Sequence, residues 1–295
     1  MLKEYYIDGV RIIEHQATKT LFINSDFIER SMELIIEQKI NDIAIVPSSD
    51  YKENNINFLK KYTWLEDLRL QEGDYDIQGI QFLKNLKEIS INKKEYTDIN
   101  FNNFPKLESC FINYKKENCN LFNRISLRNL TLYYFKEKNL ELFYKLVNLT
   151  SLKLENSTIL EIKGVEKLVE LELLDLYNVK LLASFHQIGE LKNLKRLDIT
   201  SCKDIGDISW ISNLKELESL HLTDAGLIET LDPIKNLPNL KHVTFSGKTK
   251  ILDGNMETLI GKTFVIFTDH KHYSYKQKEI EKLNNYVKPK QSWEI

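Results

Sequence analysis

Apolar residues recur along most of the chain in one pattern: an apolar residue, two variable residues, a second apolar residue, one variable residue and a third apolar residue. Nine copies of this pattern begin at Leu65, Leu86, Leu107, Leu127, Leu149, Leu171, Leu194, Leu217 and Leu240. Successive copies start 20 to 23 residues apart, and an imperfect copy starts at Ile40. The last two apolar residues of a copy are two positions apart and therefore lie on one face of a β-strand. The pattern predicts a series of short strands that stack in parallel.

Between the predicted strands, apolar residues often recur at every third position. The clearest run is Ile205, Ile208, Ile211, Leu214 and Leu217. A spacing of three matches a 3₁₀ helix better than an α-helix. Because such segments take more room than a strand, the sequence predicts a curved α/β solenoid, with its parallel sheet on the concave side and 3₁₀ or short helical segments on the convex side.

This pattern resembles the leucine-rich repeat family, whose consensus LxxLxLxxN/CxL recurs roughly every 20–29 residues. The resemblance covers roughly residues 40–268, is greatest to the short repeats of bacterial internalins, and implies a horseshoe in which each repeat is stable only against its neighbours. The sequence departs from the family at the Asn or Cys that closes each turn, because only Cys202 carries one of these residues at the corresponding position. Irregular loops are therefore expected, above all over residues 93–124.

The two ends of the chain lack the repeat and are predicted to cap it. Residues 4–13 and 20–23 have the composition of strands, and residues 26–39 have the apolar pattern of a helix. A second helix is predicted near residues 276–287, with Val287 on its apolar side. The expected organisation is an N-terminal cap over 1–39, an array of nine or ten repeats over 40–268, and a C-terminal cap helix and tail over 269–295.

Composition excludes two classes of partner. Of 295 residues, 42% are hydrophobic and 28% are charged, and the formal net charge is −2. Proteins that bind nucleic acid usually have a basic excess, because phosphate contacts supply much of their affinity, so no nucleic-acid partner is expected. No stretch approaches the ~20 apolar residues that span a bilayer, so no membrane partner is expected either.

Two further features favour a cytoplasmic protein. The first residues, MLKEYYIDGVRIIEH, include charges and lack the continuous apolar stretch of an export signal. The three cysteines, Cys110, Cys119 and Cys202, are scattered and odd in number. That distribution is unlike a disulfide framework and fits a reducing compartment.

The sequence contains fragments of catalytic and metal-binding motifs, but none is complete. Two Gly-Lys-Thr triplets lack the earlier glycine of a phosphate-binding loop. Asp269, His270 and His272 lie close together in the sequence, but no further ligand group is near them. Cys110 and Cys202 fall on core or turn positions of the repeat, where packing explains them. Neither enzymatic activity, a cofactor nor a metal ion is expected.

Function is expected on the sheet face, where side chains between and after the consensus residues are predicted to point towards solvent. Aromatic residues cluster in the middle of the array, and acidic residues follow on its C-terminal side, where His221 is expected beside Asp198. Exposed tyrosine beside charge is typical of protein-binding surfaces. The alternative is that these tyrosines cover the sheet only because they favour strands. The predicted partner-binding residues are Phe111, Tyr114, Tyr133, Tyr134, Lys153, Glu155, Asp175, Tyr177, Asp198 and His221.

Three functions are open at this point. The first is a cytoplasmic, non-enzymatic, protein-binding protein that is monomeric when free. Small repeat proteins of this kind resemble immunity or inhibitor proteins that neutralise a toxin, and the acidic residues would attract a basic toxin domain. The second, implied by the resemblance to internalins, is a secreted or surface adhesin or effector. The third is an enzyme, which has no complete set of residues in its favour.

Overall fold

A computed structural model describes residues 2–15, 18–40, 42–47, 50–202 and 205–285 of the chain. The chain divides after Phe135 into two compact units, which are called the first unit and the second unit. In both units a sheet of short strands alternates along the chain with 3₁₀ segments.

In the first unit, the described strands form one sheet whose order follows the sequence. They are Leu2–Ile7 (β1), Val10–His15 (β2), Thr18–Phe22 (β3), Asp42–Ile45 (β4), Asp67–Gln71 (β5), Glu88–Asn92 (β6), Ser109–Asn113 (β7) and Asn129–Tyr133 (β8). β2 pairs antiparallel with both β1 and β3, and each later pair up to β8 is parallel. The strands predicted near the N-terminus are therefore confirmed.

The α-helix Ile28–Glu37 (α1) connects β3 to β4. Met32 and Ile35 are buried on its inner side, as the apolar pattern requires. The helix predicted over residues 26–39 is confirmed but shorter, because the chain enters it through a 3₁₀ turn at Ser25–Phe27.

The described strand pairs of the second unit are all parallel. Its described strands are Ser151–Glu155 (β9), Leu173–Tyr177 (β10), Arg196–Thr200 (β11), Ser219–Thr223 (β12), Leu227–Ile228 (β13), His242–Ser246 (β14), Lys250–Ile251 (β15) and Phe264–Phe267 (β16). β9, β10, β11, β12, β14 and β16 lie side by side in that order. The two-residue strands β13 and β15 form a separate parallel pair.

The helix Gln277–Leu283 (α2) follows β16 and buries Ile280. It confirms the helix predicted near residues 276–287, although the predicted apolar residue Val287 lies outside the described residues. Neither α1, α2 nor any other helix in the described ranges has the length and apolar character needed to cross a bilayer.

The consensus leucines form the core of both units. Neighbouring strands pair in register, so that Leu174 lies beside Leu197 and Leu197 lies beside Leu220. All three side chains are fully buried. A slip of one residue would turn each strand's apolar side chains towards solvent, so the repeat itself determines the register.

The connections between strands are 3₁₀ segments, as the three-residue spacing predicted. The Ile211 amide donates to the Ile208 carbonyl at 3.0 Å, and the Leu214 amide donates to the Ile211 carbonyl at 2.9 Å. The apolar residues thus recur at the same interval of three residues that separates donor and acceptor in the hydrogen bonds of a 3₁₀ helix. The described segments after α1 are Asn57–Lys61, Gln78–Phe82, Phe101–Asn103, Lys116–Asn123, Glu141–Phe143, Val165–Lys167, His186–Glu190, Ser209–Asn213, Asp232–Asn236 and Glu257–Leu259.

Residues 93–124, where irregular loops are expected, contain both repeat elements and irregular backbone: residues 93–100 form neither strand nor helix, and Asn118 has non-helical backbone. This stretch contains β7 and the 3₁₀ segments Phe101–Asn103 and Lys116–Asn123. Asn118, which is buried, accepts a hydrogen bond from the Ile99 amide at 2.9 Å and so satisfies backbone that the missing consensus Asn would otherwise leave unpaired. The amide that closes this turn thus comes from a different position of the repeat than the consensus Asn.

Candidate protein-interaction surface

The turn after each strand decides which side chains stay on the sheet face, and in the first unit tyrosine hydroxyls close the ends of β5 and β7. The Tyr75 hydroxyl donates to the Gln71 carbonyl at 2.8 Å, and the Tyr96 hydroxyl donates to the Asn113 carbonyl at 2.5 Å. Both rings are buried, and burial raises the pKa of each hydroxyl. The hydroxyls therefore remain protonated donors that satisfy partly buried carbonyl groups.

Two lysines complete these turns from inside the unit. Lys93 is buried, and its ammonium donates to the Gly73 carbonyl and lies 3.9 Å from the centre of the Tyr75 ring. Lys115 repeats the arrangement: its ammonium donates to the Tyr96 carbonyl and lies 4.7 Å from the centre of that ring. A cation over an aromatic face contributes about 0.5–2 kcal/mol. The expectation that the residue after each strand faces solvent is therefore wrong for Lys93.

The second unit closes the same turn with its backbone. The residue after each of β9, β10, β11 and β12 has a positive φ, of 55° at Asn156, 56° at Asn178, 53° at Ser201 and 48° at Asp224. Its amide donates to the end of the next strand, as from Asn178 to the Thr200 carbonyl at 2.8 Å. Asn and Asp adopt this left-handed conformation more readily than most residues. These residues therefore end the strands instead of widening the sheet face.

The aromatic residues predicted in the first unit lie in different environments. Phe111 on β7 and Tyr133 at the end of β8 are on the strands and half-buried. Tyr134 follows β8 with a φ of 58° and is 46% exposed. Tyr114 lies one residue beyond β7, and its ring centre is 4.7 Å from that of the buried Phe135. Contrary to the prediction, Tyr114 packs into the unit instead of standing exposed on a strand.

Four predicted residues of the second unit form one contiguous group across β9 and β10, called the tyrosine patch: Lys153, Glu155, Asp175 and Tyr177. The strand register places Lys153 beside Asp175 and Glu155 beside Tyr177. The Lys153 ammonium lies 3.3 Å from the Asp175 carboxylate, 3.5 Å from that of Glu155 and 5.9 Å from the centre of the Tyr177 ring. Tyr177 is 41% exposed. The tyrosine patch thus holds an exposed ring beside a set of paired charges.

The charges of the tyrosine patch influence each other. Burial alone would lower the pKa of Lys153, but the Asp175 and Glu155 carboxylates outweigh burial, and the pKa is raised. Burial raises the pKa of Asp175, and Lys153 opposes that change. Lys153 therefore neutralises part of the negative charge of Glu155 and Asp175.

Asp198 and His221 lie side by side on β11 and β12, as predicted. Arg196 donates to one Asp198 oxygen at 2.9 Å, and His221 Nε2 lies 3.8 Å from the other. His221 Nδ1 lies 2.6 Å from the Thr244 hydroxyl. Burial lowers the pKa of His221, and the Asp198 carboxylate opposes this change only in part. Asp198 is therefore paired with Arg196, and His221 is uncharged at neutral pH.

The side chains considered for catalysis or metal binding take part in packing. In the described ranges, no three His, Cys, Asp or Glu side chains are grouped so that they could hold a metal ion. Burial raises the pKa of Cys202 to about 11 and also raises the pKa of Cys110, so both thiols are protonated at neutral pH. His270 and His272 both contact Tyr273, with ring centres 5.0 and 4.7 Å away.

No protein-family model matches the sequence, and no curated protein matches it. The structure is similar to the crystal structure of an internalin (inlF) from Listeria monocytogenes str. 4b F2365, with a TM-score of 0.59 and 20% sequence identity, over 80% of this chain and 76% of the internalin. This chain has the leucine-rich repeat fold. The similarity to internalin C2 from the same strain extends over 68% of this chain and 77% of internalin C2, with a TM-score of 0.46 and 22% sequence identity. The similarity to a leucine-rich repeat protein from Leptospira interrogans extends over 84% of this chain and 83% of the Leptospira protein, with a TM-score of 0.40 and 17% sequence identity.

One row on the sheet face of this leucine-rich repeat chain was missed by the sequence argument. It consists of residues at the first position of their strands: Arg196, Ser219, His242 and Phe264. They point to the same face as Asp198 and His221, which lie two positions later in their strands. Together with Lys262, the row lines a cavity of about 710 Å³. Counting two residues back from the predicted rows would have found it.

Proposed function

We propose that this chain is a non-enzymatic, protein-binding leucine-rich repeat protein, and that it binds its partner through the tyrosine patch of the second unit. Tyr177 carries this proposal, because its ring is 41% exposed on the sheet face and lies beside Lys153. A tyrosine supplies a large contact area and loses little rotamer entropy when it binds. A few such residues dominate the affinity of many protein interfaces.

The charged neighbours of Tyr177 support the same function. Lys153 contacts both Glu155 and Asp175, and the three side chains are only 20% to 35% exposed. Their mutual pairing orders them before a partner arrives, so less entropy is lost on association. Charges at the edge of an interface affect orientation and association rate more than affinity.

Within this proposal, the finer function is that of an immunity or inhibitor protein that neutralises a toxin in the cytoplasm. Cys110, Cys119 and Cys202 are all free thiols, which supports a reducing compartment. A basic toxin domain would compete with Lys153 for the Glu155 and Asp175 carboxylates. The alternative function is that of an adhesin or effector of the internalin type.

The test is capture of a partner from the source organism, followed by titration of the purified partner onto wild type, Tyr177→Ala and Tyr144→Ala. Tyr144 is the matched control, because it lies in the second unit and is 57% exposed, but follows the 3₁₀ segment Glu141–Phe143. Tyr177→Ala should weaken binding at least ~tenfold, whereas Tyr144→Ala should leave it unchanged.

Several outcomes separate the alternatives. If Tyr177→Ala is folded by circular dichroism and binds like wild type, the assignment to the tyrosine patch fails. A partner whose toxicity disappears when this chain is added supports the immunity function, whereas a partner on a host-cell surface supports the adhesin. Turnover of a substrate by the purified chain alone would contradict a non-enzymatic function.

A further inference from the structure

The cavity at the start of β11, β12, β14 and β16 contains a positive charge that no described carboxylate neutralises. Lys262 lines this cavity and is half-buried, and this burial lowers the pKa of its ammonium group. No salt bridge joins Lys262 to an acidic side chain within the described ranges. Lys153, at a similar depth in the same unit, has two carboxylates within 3.5 Å. Lys262 therefore differs from Lys153, because no described carboxylate neutralises its charge.

The backbone that presents Lys262 is held in place by α2. The Gly261 amide donates to Asn284 Oδ1 at 2.7 Å, and Asn284 Nδ2 donates to the Leu259 carbonyl at 3.0 Å. Asn284 is the residue at the C-terminal end of α2. Both bonds fix the turn directly before Lys262, so the ammonium is carried on an ordered backbone.

The other walls of the cavity offer one further cation, polar groups and an apolar ring. Arg196 is already bound to Asp198 at 2.9 Å. The Ser219 hydroxyl lies 3.1 Å from His242 Nδ1, and the His242 ring meets the Phe264 ring edge to face, with 6.0 Å between centres. A ligand in this cavity would therefore meet the Lys262 charge beside an aromatic surface.

The charges lining this cavity favour a single negative charge. With histidine counted as neutral, the lining residues Arg196 and Lys262 supply two positive charges. Asp198, which does not line the cavity but is paired with Arg196, supplies one negative charge, so one positive charge is left unbalanced. A carboxylate matches this balance, whereas a phosphate group carries about −1.5 to −2 at neutral pH and would exceed it. A half-buried unpaired charge is costly, and an arriving carboxylate offsets that cost.

We infer that this cavity receives an acidic side chain of a protein partner, with its carboxylate on Lys262. The inference rests on the proposed protein-binding function and adds to it a second contact point of defined chemistry. An acidic group would bind here, at the strand starts of the second unit, while Tyr177 contacts the partner at the tyrosine patch.

The probe for this inference is the peptide acetyl-Gly-Glu-Phe-Gly-amide, titrated onto the full chain while NMR follows the ring protons of His221 and His242. Its matched control replaces the glutamate by glutamine. The glutamate peptide should shift both histidine rings, and the glutamine peptide should bind at least ~tenfold more weakly. Lys262→Gln should remove the difference between the two peptides, whereas Lys278→Gln, at an exposed position of α2, should preserve it.

Lys262→Arg guards against a variant that fails to fold, since it keeps the charge and should retain binding within ~threefold of wild type. Equal binding of both peptides to wild type overturns the inference, as does unchanged glutamate-peptide binding to a folded Lys262→Gln variant. Inorganic phosphate that binds more tightly than the glutamate peptide overturns the choice of a carboxylate. These results are independent of the Tyr177→Ala titration, so the inference can fail while the proposed function stands, and the reverse.

Discussion

The ends of β5 and β7 in the first unit and the ends of β9 to β12 in the second unit are closed by different chemistry. In the first unit, the buried side chains of Tyr75, Lys93 and Tyr96 reach the carbonyl groups that the turn leaves unpaired. In the second unit, residues such as Asn178 and Ser201 adopt a positive φ, and their amides pair with the next strand. Backbone polar groups removed from water need a partner, but the fold does not prescribe whether a side chain or the backbone supplies it.

This difference changes what each unit leaves for a partner. The first unit uses Tyr75, Tyr96 and Tyr114 for packing, so these rings are buried or half-buried. The second unit has small or polar residues at its turns, and Tyr177 keeps 41% of its surface exposed. The number of tyrosines in a repeat is therefore a poor guide to its binding surface, because the closure of the turn decides where the rings go.

The largest expected effect is one that both units share. Leu68→Ala in β5 and Leu197→Ala in β11 each truncate a fully buried side chain. Each change should lower the free energy of unfolding by about 2–5 kcal/mol, through lost burial and the cavity that remains. Chemical denaturation followed by circular dichroism measures the loss. An unchanged unfolding midpoint in either variant would show that the strand register of that unit is wrong.

Glycine at the turn should have opposite effects in the two units. Lys93→Gly removes a buried hydrogen bond to the Gly73 carbonyl and the cation above the Tyr75 ring, and should lower the free energy of unfolding by about 2–3 kcal/mol. Ser201→Gly relieves a positive φ of 53° and should raise it by about 0.5–1 kcal/mol. The measurement is denaturant unfolding of both variants beside wild type. If both glycines destabilise the chain equally, the proposed difference between the turns disappears.

Removal of one hydroxyl should separate packing tyrosines from surface tyrosines. Tyr96→Phe leaves the Asn113 carbonyl and the buried Asn118 amide without the hydroxyl that now binds them, and should cost about 1–2 kcal/mol. Tyr177→Phe, at a 41% exposed position, is the control and should change stability by less than ~0.5 kcal/mol. Thermal unfolding of the two variants tests the contrast, and equal stability would contradict the closing role of Tyr96.

The smallest effect concerns the pH dependence of stability in the first unit. Burial, Glu88 and Asp42 raise the pKa of Asp67 to about 6. The folded state therefore binds this proton more readily than the unfolded state, so the stabilisation is present below about pH 4 and is lost as the pH rises through about 6. Asp67→Asn should stabilise the chain by up to ~1 kcal/mol at pH 7.5, after allowance for solvent screening, and by less at pH 4.5.

The matched variant for this pH test is Asp175→Asn in the second unit. The Asp175 carboxylate lies 3.3 Å from the Lys153 ammonium, so its removal leaves Lys153 with one carboxylate fewer. This variant should be no more stable than wild type at pH 7.5. Denaturant unfolding at pH 4.5 and 7.5 measures both variants, and a stability gain for Asp175→Asn equal to that for Asp67→Asn would remove this contrast between the units.

The strands, the 3₁₀ segments and the core could be predicted from the sequence because their signals are local. Leu197 and Leu220 are two rows of one pattern, and the run from Ile208 to Leu214 carries its own hydrogen-bond spacing. The position of Asp198 beside His221 also follows from counting along the repeat. The division into two caps and an array, and the partner-binding role of the ten proposed residues, stay predictions.

Other parts of the candidate site could not be predicted from the sequence and became visible only in the tertiary structure. The sequence indicates a charge at Lys93 and at Lys153. Only the fold places Lys93 over the buried Tyr75 ring and Lys153 between two carboxylates. The cavity around Lys262 brings together residues from four strands that are more than 20 positions apart in the sequence, together with a turn held by α2.

The sequence by itself determined which consensus residues are buried and which strands are neighbours, because a repeat of nearly constant length allows only one register that buries every leucine. The tertiary structure alone decided how each turn is closed, which tyrosines remain exposed and which charges are paired. Those outcomes depend on φ at single residues such as Ser201 and on distances between side chains of different repeats, such as Lys153 and Asp175. A pattern of apolar spacing contains no information about either.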